Sequence, residues 1–144
     1  GPRGFTSNGT DAYLCKRYPS LLVLLVRGLR QRWAYSFFRQ RLAQYEYHDL
    51  LYSEPSDVEF LSGCCMFART RALQDVGGFD EHFFLYFEDF DLSLRMRKLG
   101  RVVFLPTASI IHFGGNSALK GLHHIKLFAQ SAFRFFQKHR WKII

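Results

Sequence analysis

The sequence has few of the features that mark membrane-spanning, secreted or metal-stapled chains. Its apolar run from Leu21 to Val26 is six residues, far short of the about 20 that cross a bilayer as a helix. Cysteine is scarce: three residues, with Cys64 and Cys65 adjacent, give neither an even disulfide set nor a metal-ligand spacing. All three read as reduced thiols, which suits a cytosolic compartment. The first residues lack the charged, apolar and small-residue succession of a signal peptide. No segment repeats and none is of low complexity. Acidic residues are in deficit, 12 Asp and Glu against 20 Lys and Arg, for a net charge of +8. That balance suits nucleic acid, anionic lipid or a phosphorylated substrate as partner, but no recognised nucleic-acid motif is present.

What is present is one domain's length of chain, 144 residues, with an aromatic core or cleft signalled by 16 Phe. Asn8-Gly9 predicts a tight hairpin turn. Asn8-Gly9-Thr10 also fits a glycosylation acceptor, but a turn is the better reading in a reduced compartment. With no strand or phosphate loop before it, the turn suggests a chain that begins mid-domain. Ser20 to Tyr45 reads as one helix, started by Pro19-Ser20 and striped by Leu21, Leu25, Leu29, Trp33 and Phe37. Arg27, Arg30, Arg32, Arg39 and Arg41 add five positive charges there. Two readings stand: an interfacial membrane helix, or a helix packed on its own domain with its arginines in water. Tyr45 to Asp57 reads as loop.

Glu59 to Arg69 reads as a strand apolar on both faces, hence central and buried, with Cys64 and Cys65 pointing to opposite faces. Gly63 within it permits close approach of a ligand or another backbone. Thr70 is placed to cap a short helix ended by Gly77. Arg101 to Leu105 predicts a strand stopped by Pro106, and Ala108 to Phe113 a second. Gly114-Gly115-Asn116 predicts a flexible loop. Leu119 to Trp141 predicts a helix with Leu122, Ile125, Phe128, Ala129, Ala132, Phe135 and Phe136 on one apolar side, and with His123, His124 and His139 at the surface.

The most patterned stretch is Phe79 to Gly100. It holds five of the chain's 12 acids: Asp80, Glu81, Glu88, Asp89 and Asp91. Helical periodicity puts Phe87, Phe90, Leu94 and Leu99 on one buried side and three acids in the first turn, where the helix N-terminus favours them. Lys98 and Gly100 supply an ending with a left-handed cap. Asp91 and Arg95 are spaced to pair along the helix. Capping alone accounts for acids in this position. Yet carboxylates set among aromatic bulk are costly unless paired or used, and His112-Phe113-Gly114-Gly115 follows one strand-like unit later. A carboxylate at a helix mouth and a His past a strand end can line one cleft.

The run GCCMFARTRALQDVGGFDEHFFLYFEDFDLSLRMRKLGRVVFLPTASIIHFGGNS resembles the second half of the catalytic domain of inverting, GT-A-fold family 2 glycosyltransferases, above all the bacterial rhamnosyltransferase-like branch that builds surface polysaccharides. The resemblance implies an α/β fold: the acceptor-side C-terminal portion of a GT-A domain, a short mixed sheet flanked by helices. It divides the chain into a hairpin and basic helical segment (1–58), the catalytic portion (59–116) and a C-terminal amphipathic helix (117–144). It implies Asp89 as the base that takes the acceptor's proton, with Glu88 contacting the acceptor or holding the local network. Gly63, Asp91, Arg95, Gly114 and Gly115 would line the substrate site, with Asp91 and Arg95 alternatively structural. His112 would help hold a divalent metal, Mn or Mg, on the donor diphosphate, and a neutral imidazole suits such an ion. Alternatively His112 is only hydrogen-bonded at a strand end. The implied partners are a nucleotide-diphosphate sugar, a lipid-linked or glycan acceptor and an anionic membrane surface, without nucleic acid; the place is the cytoplasmic, inner face of the cell membrane.

One departure stands out. Nothing before residue 59 resembles the family's nucleotide-binding half, a parallel strand–helix array ending in an acid-x-acid metal motif. The expectation is a chain that alone transfers no sugar, holds no metal tightly and self-associates through faces its other half would cover. Two other function classes fit the composition: a non-catalytic basic binding module and a peripheral membrane adaptor.

Overall fold

The computed structural model describes residues 1–29, 31–113 and 121–144. The glycine loop expected at Gly114 and Gly115 lies outside them. The chain is mixed α/β, in the order β1 (Pro2–Phe5), β2 (Cys15–Lys16), α1 (Leu21–Leu29), α2 (Arg32–Phe37), α3 (Arg39–Tyr45), β3 (Ser56–Asp57), β4 (Phe60–Leu61), α4 (Thr70–Asp75), α5 (Glu88–Arg97), β5 (Val103–Ile111) and α6 (Leu122–Lys138). A three-stranded mixed sheet runs β1-β5-β3, with β1 parallel and β3 antiparallel to β5. A two-stranded sheet pairs β2 with β4.

Asn8-Gly9 forms its turn: the Gly9 N–H donates to the Thr6 carbonyl at 2.9 Å, and Gly9 is left-handed with φ +77°. The returning arm makes one bridge, Phe5 to Asp11, and β1 finds its main partner in β5 instead. Pro106 does not stop a strand. β5 passes through it, and the register of β1 jumps from Pro2 opposite Leu105 to Arg3 opposite Ser109. The jump spares the proline the ladder bond it cannot donate. Beside β3, pairing occupies only Val103 and Phe104, so that edge never reaches Pro106.

The expected single helix from Ser20 to Tyr45 is three. Gln31 is extended between α1 and α2, and Phe38 leaves helical geometry between α2 and α3. Unbroken, the 26 residues would form a rod of about 39 Å. Folded back, Val23, Val26, Ala34, Leu42 and Tyr45 converge in one cluster. The expected central strand from Glu59 to Arg69 is likewise overturned. Only Phe60 and Leu61 pair, then the chain leaves the ladder; Cys64 is exposed rather than on a strand face, and Phe67 is almost fully exposed. The backbone N–H of Gly63 binds a side chain instead of a neighbouring strand.

Thr70 is the first residue of α4 rather than its cap; Arg69 precedes it and no side chain caps the helix. Gly77 and Gly78 end α4 in left-handed geometry, φ +76° and +67°, and their N–H groups return to the carbonyls of Gln74 and Leu73 at 2.9 Å. α5 begins where predicted but lacks the left-handed ending: Gly100 stays outside that region, and the last turn closes by bonds from Lys98 to Arg95 and from Leu99 to Met96. Leu99 is exposed, unlike the rest of its stripe. α6 buries only its second half, through Ala132, Phe135 and Phe136, while Leu122 and Ile125 face solvent.

The main core is aromatic. Phe60, Phe87, Phe135 and Phe136 are buried with Tyr18 and Phe83, and Phe60 stacks on Phe90 with centroids 4.5 Å apart. Each well-placed ring pair adds about 0.5–1.5 kcal/mol beyond area burial. This cluster clamps α5 and α6 onto β4. The three cysteines are free thiols.

Candidate active site

The site starts from two strained residues. Tyr86 and Phe87 are both left-handed, φ 70° and 64°, a conformation that costs a non-glycine residue about 1–3 kcal/mol. Burial of Phe87 against Phe90, Phe128 and Phe135 offsets that cost. The double turn aims the start of α5 so that Glu88 and Asp89 stand beside the Ser62-Gly63 corner. Asp89 accepts the Gly63 N–H on Oδ2 at 2.9 Å and the Phe90 N–H on Oδ1 at 2.9 Å. A side chain at residue 63 would crowd this contact, since a Cβ there lies 3.3 Å from the Asp89 Cβ. Gly63 thus admits the Asp89 side chain, where a ligand or another backbone was expected.

Burial pushes the Asp89 carboxyl up from 3.8 to about 6; the Gly63 and Phe90 N–H groups oppose the rise and the Glu88 charge adds to it. Glu88 Oε2 is buried and takes no hydrogen bond from any described residue. An unsatisfied buried carboxylate oxygen is costly, and it stands next to a carboxyl poised to exchange a proton. Tyr45, buried in the cluster of α1, α2 and α3, lies within reach of the Asp89 charge. Burial raises its phenol, the Arg27 cation opposes, and the charges of Glu46 and Asp89 add to the rise. Behind Tyr45, Arg27 pairs with Glu46, and Lys16 lies 3.6 Å from the same carboxylate. Burial lowers the Lys16 amine to about 8, against the raising effect of Glu46.

Asp91 is turned the other way. It is fully buried, with Arg95 Nε at 2.7 Å, Lys138 Nζ at 2.8 Å and His139 Nε2 at 2.8 Å. Burial raises its carboxyl, but hydrogen bonds from His139, Lys138 and Arg95 outweigh that and hold it well below the usual range. Arg95 also donates to the Val76 carbonyl at 2.6 Å, tying α5 to the end of α4. Asp91 and Arg95 are therefore committed to internal partners, and they fix the direction of the helix that carries Glu88 and Asp89.

His112 lies past the end of β5, where its N–H donates to the Phe5 carbonyl at 2.7 Å. No hydrogen bond or ion pair among the described residues joins it to Glu88 or Asp89. Nor do three His, Cys, Asp or Glu side chains gather as a metal site among the described residues. One imidazole does not hold a cation that wants several ligands. These residues by themselves do not fit a metal.

Residues 3–142 match the family described as glycosyl transferase family group 2. The chain belongs to that family. It is similar to the N-acetylglucosaminyl-diphospho-decaprenol L-rhamnosyltransferase of two Mycobacterium tuberculosis strains, at 37% identity over 91 residues, 61% of this chain and 26% of the relative. It is also similar to rhamnosyltransferase WbbL of Escherichia coli K12, at 31% over 88 residues, 60% of this chain and 31% of that relative. The chain thus spans between a quarter and a third of the length of the curated relatives it matches. No solved structure matches it significantly.

Several site residues of this family group 2 chain escape a reading of the sequence. Tyr45 hides at the end of a segment read as an amphipathic helix. His139, expected at the surface, is mostly buried against Asp91, and His124 meets the Tyr86 hydroxyl at 3.0 Å; only His123 is exposed as expected. The acid-x-acid spacing Asp57-Val58-Glu59 is spent on structure: Asp57 pairs with Arg101, and Glu59 accepts the Tyr18 N–H. No spacing rule links Asp91 to a His 48 residues later.

Proposed function

We propose that this chain is the acceptor-side portion of an inverting glycosyltransferase of GT-A architecture, with Asp89 as the catalytic base. The observation that carries the reading is the Asp89 carboxyl, half-buried at a helix start, held by the Gly63 N–H and pushed up to about 6. A base is most effective when its pKa lies near the working pH. Ionised Asp89 takes the proton of an acceptor hydroxyl while that oxygen bonds to the anomeric carbon of the donor. The bond from that carbon to the diphosphate breaks on the opposite face, and the diphosphate leaves with the electron pair. Glu88 holds the acceptor or keeps the local field negative, which sustains the basicity of its neighbour.

That its relatives are rhamnosyltransferases, the mycobacterial ones on a decaprenol-linked acceptor, supports rhamnose as the transferred sugar and a lipid-linked acceptor; a nucleotide-diphosphate donor and work at the inner face of the cell membrane complete the proposal. A divalent metal on the donor would need ligands beyond the residues described, with His112 supplying at most one. In a full-length protein carrying this chain, Asp89→Asn is expected to leave nucleotide-sugar binding nearly intact and to lower turnover on the order of 100-fold or more. Near-normal turnover removes Asp89 from the role of base.

A further inference from the structure

The segment 20–45 contains five Arg and no Asp or Glu. In the fold it becomes α1, α2 and α3, and their buried sides converge on the cluster of Val23, Val26, Ala34, Leu42 and Tyr45. The opposite sides carry large apolar residues into solvent. Leu25 and Leu29 on α1, and Trp33 and Phe37 on α2, are each more than half exposed. Each pair is four residues apart, hence on one face of its helix, and α1 and α2 pack against each other. Arg32 on α2 and Arg39 and Arg41 on α3, which packs against both helices, are exposed as well. Large apolar residues gathered on a solvent face mark an interaction surface.

We propose that the outward face of α1 and α2 docks on an anionic lipid bilayer, with Leu25, Leu29, Trp33 and Phe37 seated among the acyl chains and Arg32, Arg39 and Arg41 at the headgroups. Charge decides the occupant. A second copy brought face to face would set arginine against arginine with no carboxylate in the segment to neutralise them. An anionic headgroup layer supplies the missing sign everywhere, and each arginine near it adds attraction that salt screens. The pattern of apolar anchors rimmed by cations on short surface helices is that of an interfacial binder. Among the described residues no helix is long and apolar enough to cross a membrane, so the contact lies on one leaflet. The proposal stands on this surface alone and does not depend on the chemistry of Asp89.

The test uses the 144-residue chain and vesicles of phosphatidylcholine with or without about 30% phosphatidylglycerol. In a Trp141→Phe background, Trp33 is the remaining tryptophan, so its emission reports the face directly. The expected result is co-sedimentation with anionic vesicles, a blue shift of Trp33, and release by salt. Phe37→Ser with Leu29→Ser, and separately Arg32, Arg39 and Arg41 to Gln, are each expected to weaken binding by at least about tenfold. Their circular dichroism and urea midpoints should not move. Equal binding to neutral vesicles, indifference to salt, or an unshifted Trp33 would overturn the proposal. So would light scattering that shows a dimer dissociated by Phe37→Ser, which would assign the face to a second copy.

Discussion

Asp89 and Asp91 sit two residues apart on one helix, yet replacing each by Asn is expected to move stability in opposite directions. For Asp89 the distance from 3.8 to about 6, at about 1.4 kcal/mol per pH unit, makes its ionised form a burden of about 3 kcal/mol near neutral pH. Asn keeps an oxygen for the Gly63 N–H and carries no charge, so Asp89→Asn should stabilise the fold by about 1–3 kcal/mol. For Asp91 the balance is reversed. Asn there leaves Arg95, Lys138 and His139 around a neutral amide, and removing one partner of a buried charge network costs about 3–5 kcal/mol. The signs with pH follow. The raised Asp89 pKa means its burden is absent below 3.8, grows as pH rises and is complete above about 6. The lowered Asp91 pKa means its contribution is present above 3.8 and fades as pH falls through its depressed value. Urea titrations followed by circular dichroism, at about pH 5 and about pH 8, measure both. Asp89→Asn should gain on the parent more at the higher pH, and Asp91→Asn should be weaker at both. If the two variants lie within about 1 kcal/mol of each other, the division of labour along α5 is wrong.

Three further outcomes follow from the same geometry. Gly63→Ala puts a methyl 3.3 Å from the Asp89 Cβ and should displace the carboxylate; steady-state kinetics of a full-length protein should show turnover falling about tenfold or more, while an unchanged rate would mean the contact is idle. The pH profile of kcat/KM should rise through an acid limb near 6, because only ionised Asp89 accepts a proton, and Asp89→Asn should abolish that limb. Isothermal titration of this chain with a nucleotide diphosphate and manganese should show no micromolar binding, since the described residues gather no metal site; micromolar binding by a monomer would make it a complete donor-binding domain.

Local signals in the sequence carried α4, α5, the Asn8-Gly9 turn and the pairing of Asp91 with Arg95, because each depends on residues within about one helical turn. The errors share a cause in contacts between distant residues. Glu59 to Arg69 has the composition of a buried strand, but the Asp89 carboxylate takes the Gly63 N–H from 26 residues away and turns the chain out of the ladder. The helix expected from Ser20 to Tyr45 contains no proline, and its one glycine, Gly28, lies inside α1, so no local signal marked the breaks at Gln31 and Phe38; a common cluster required them. Pro106 looks like a terminus until the register of β1 is known. At the site, Asp89 and Glu88 were readable as acids at a helix mouth, whereas the pKa of Asp89 and the service of Tyr45 and His139 belong to packing alone.

The network around Asp91 also sets an order in time. His139 follows Asp91 by 48 residues, so a ribosome working at about 5–20 residues per second completes α5 roughly 2–10 s before the end of α6 can supply Lys138 and His139. During that interval Arg95 is the carboxylate's one partner, and burying it with the other two missing is costly. Docking of α5, and with it the approach of Asp89 to Gly63, is therefore favoured only once α6 is made. Synthesis of α6 is thus the event that lets α5 dock and sets its acids in place.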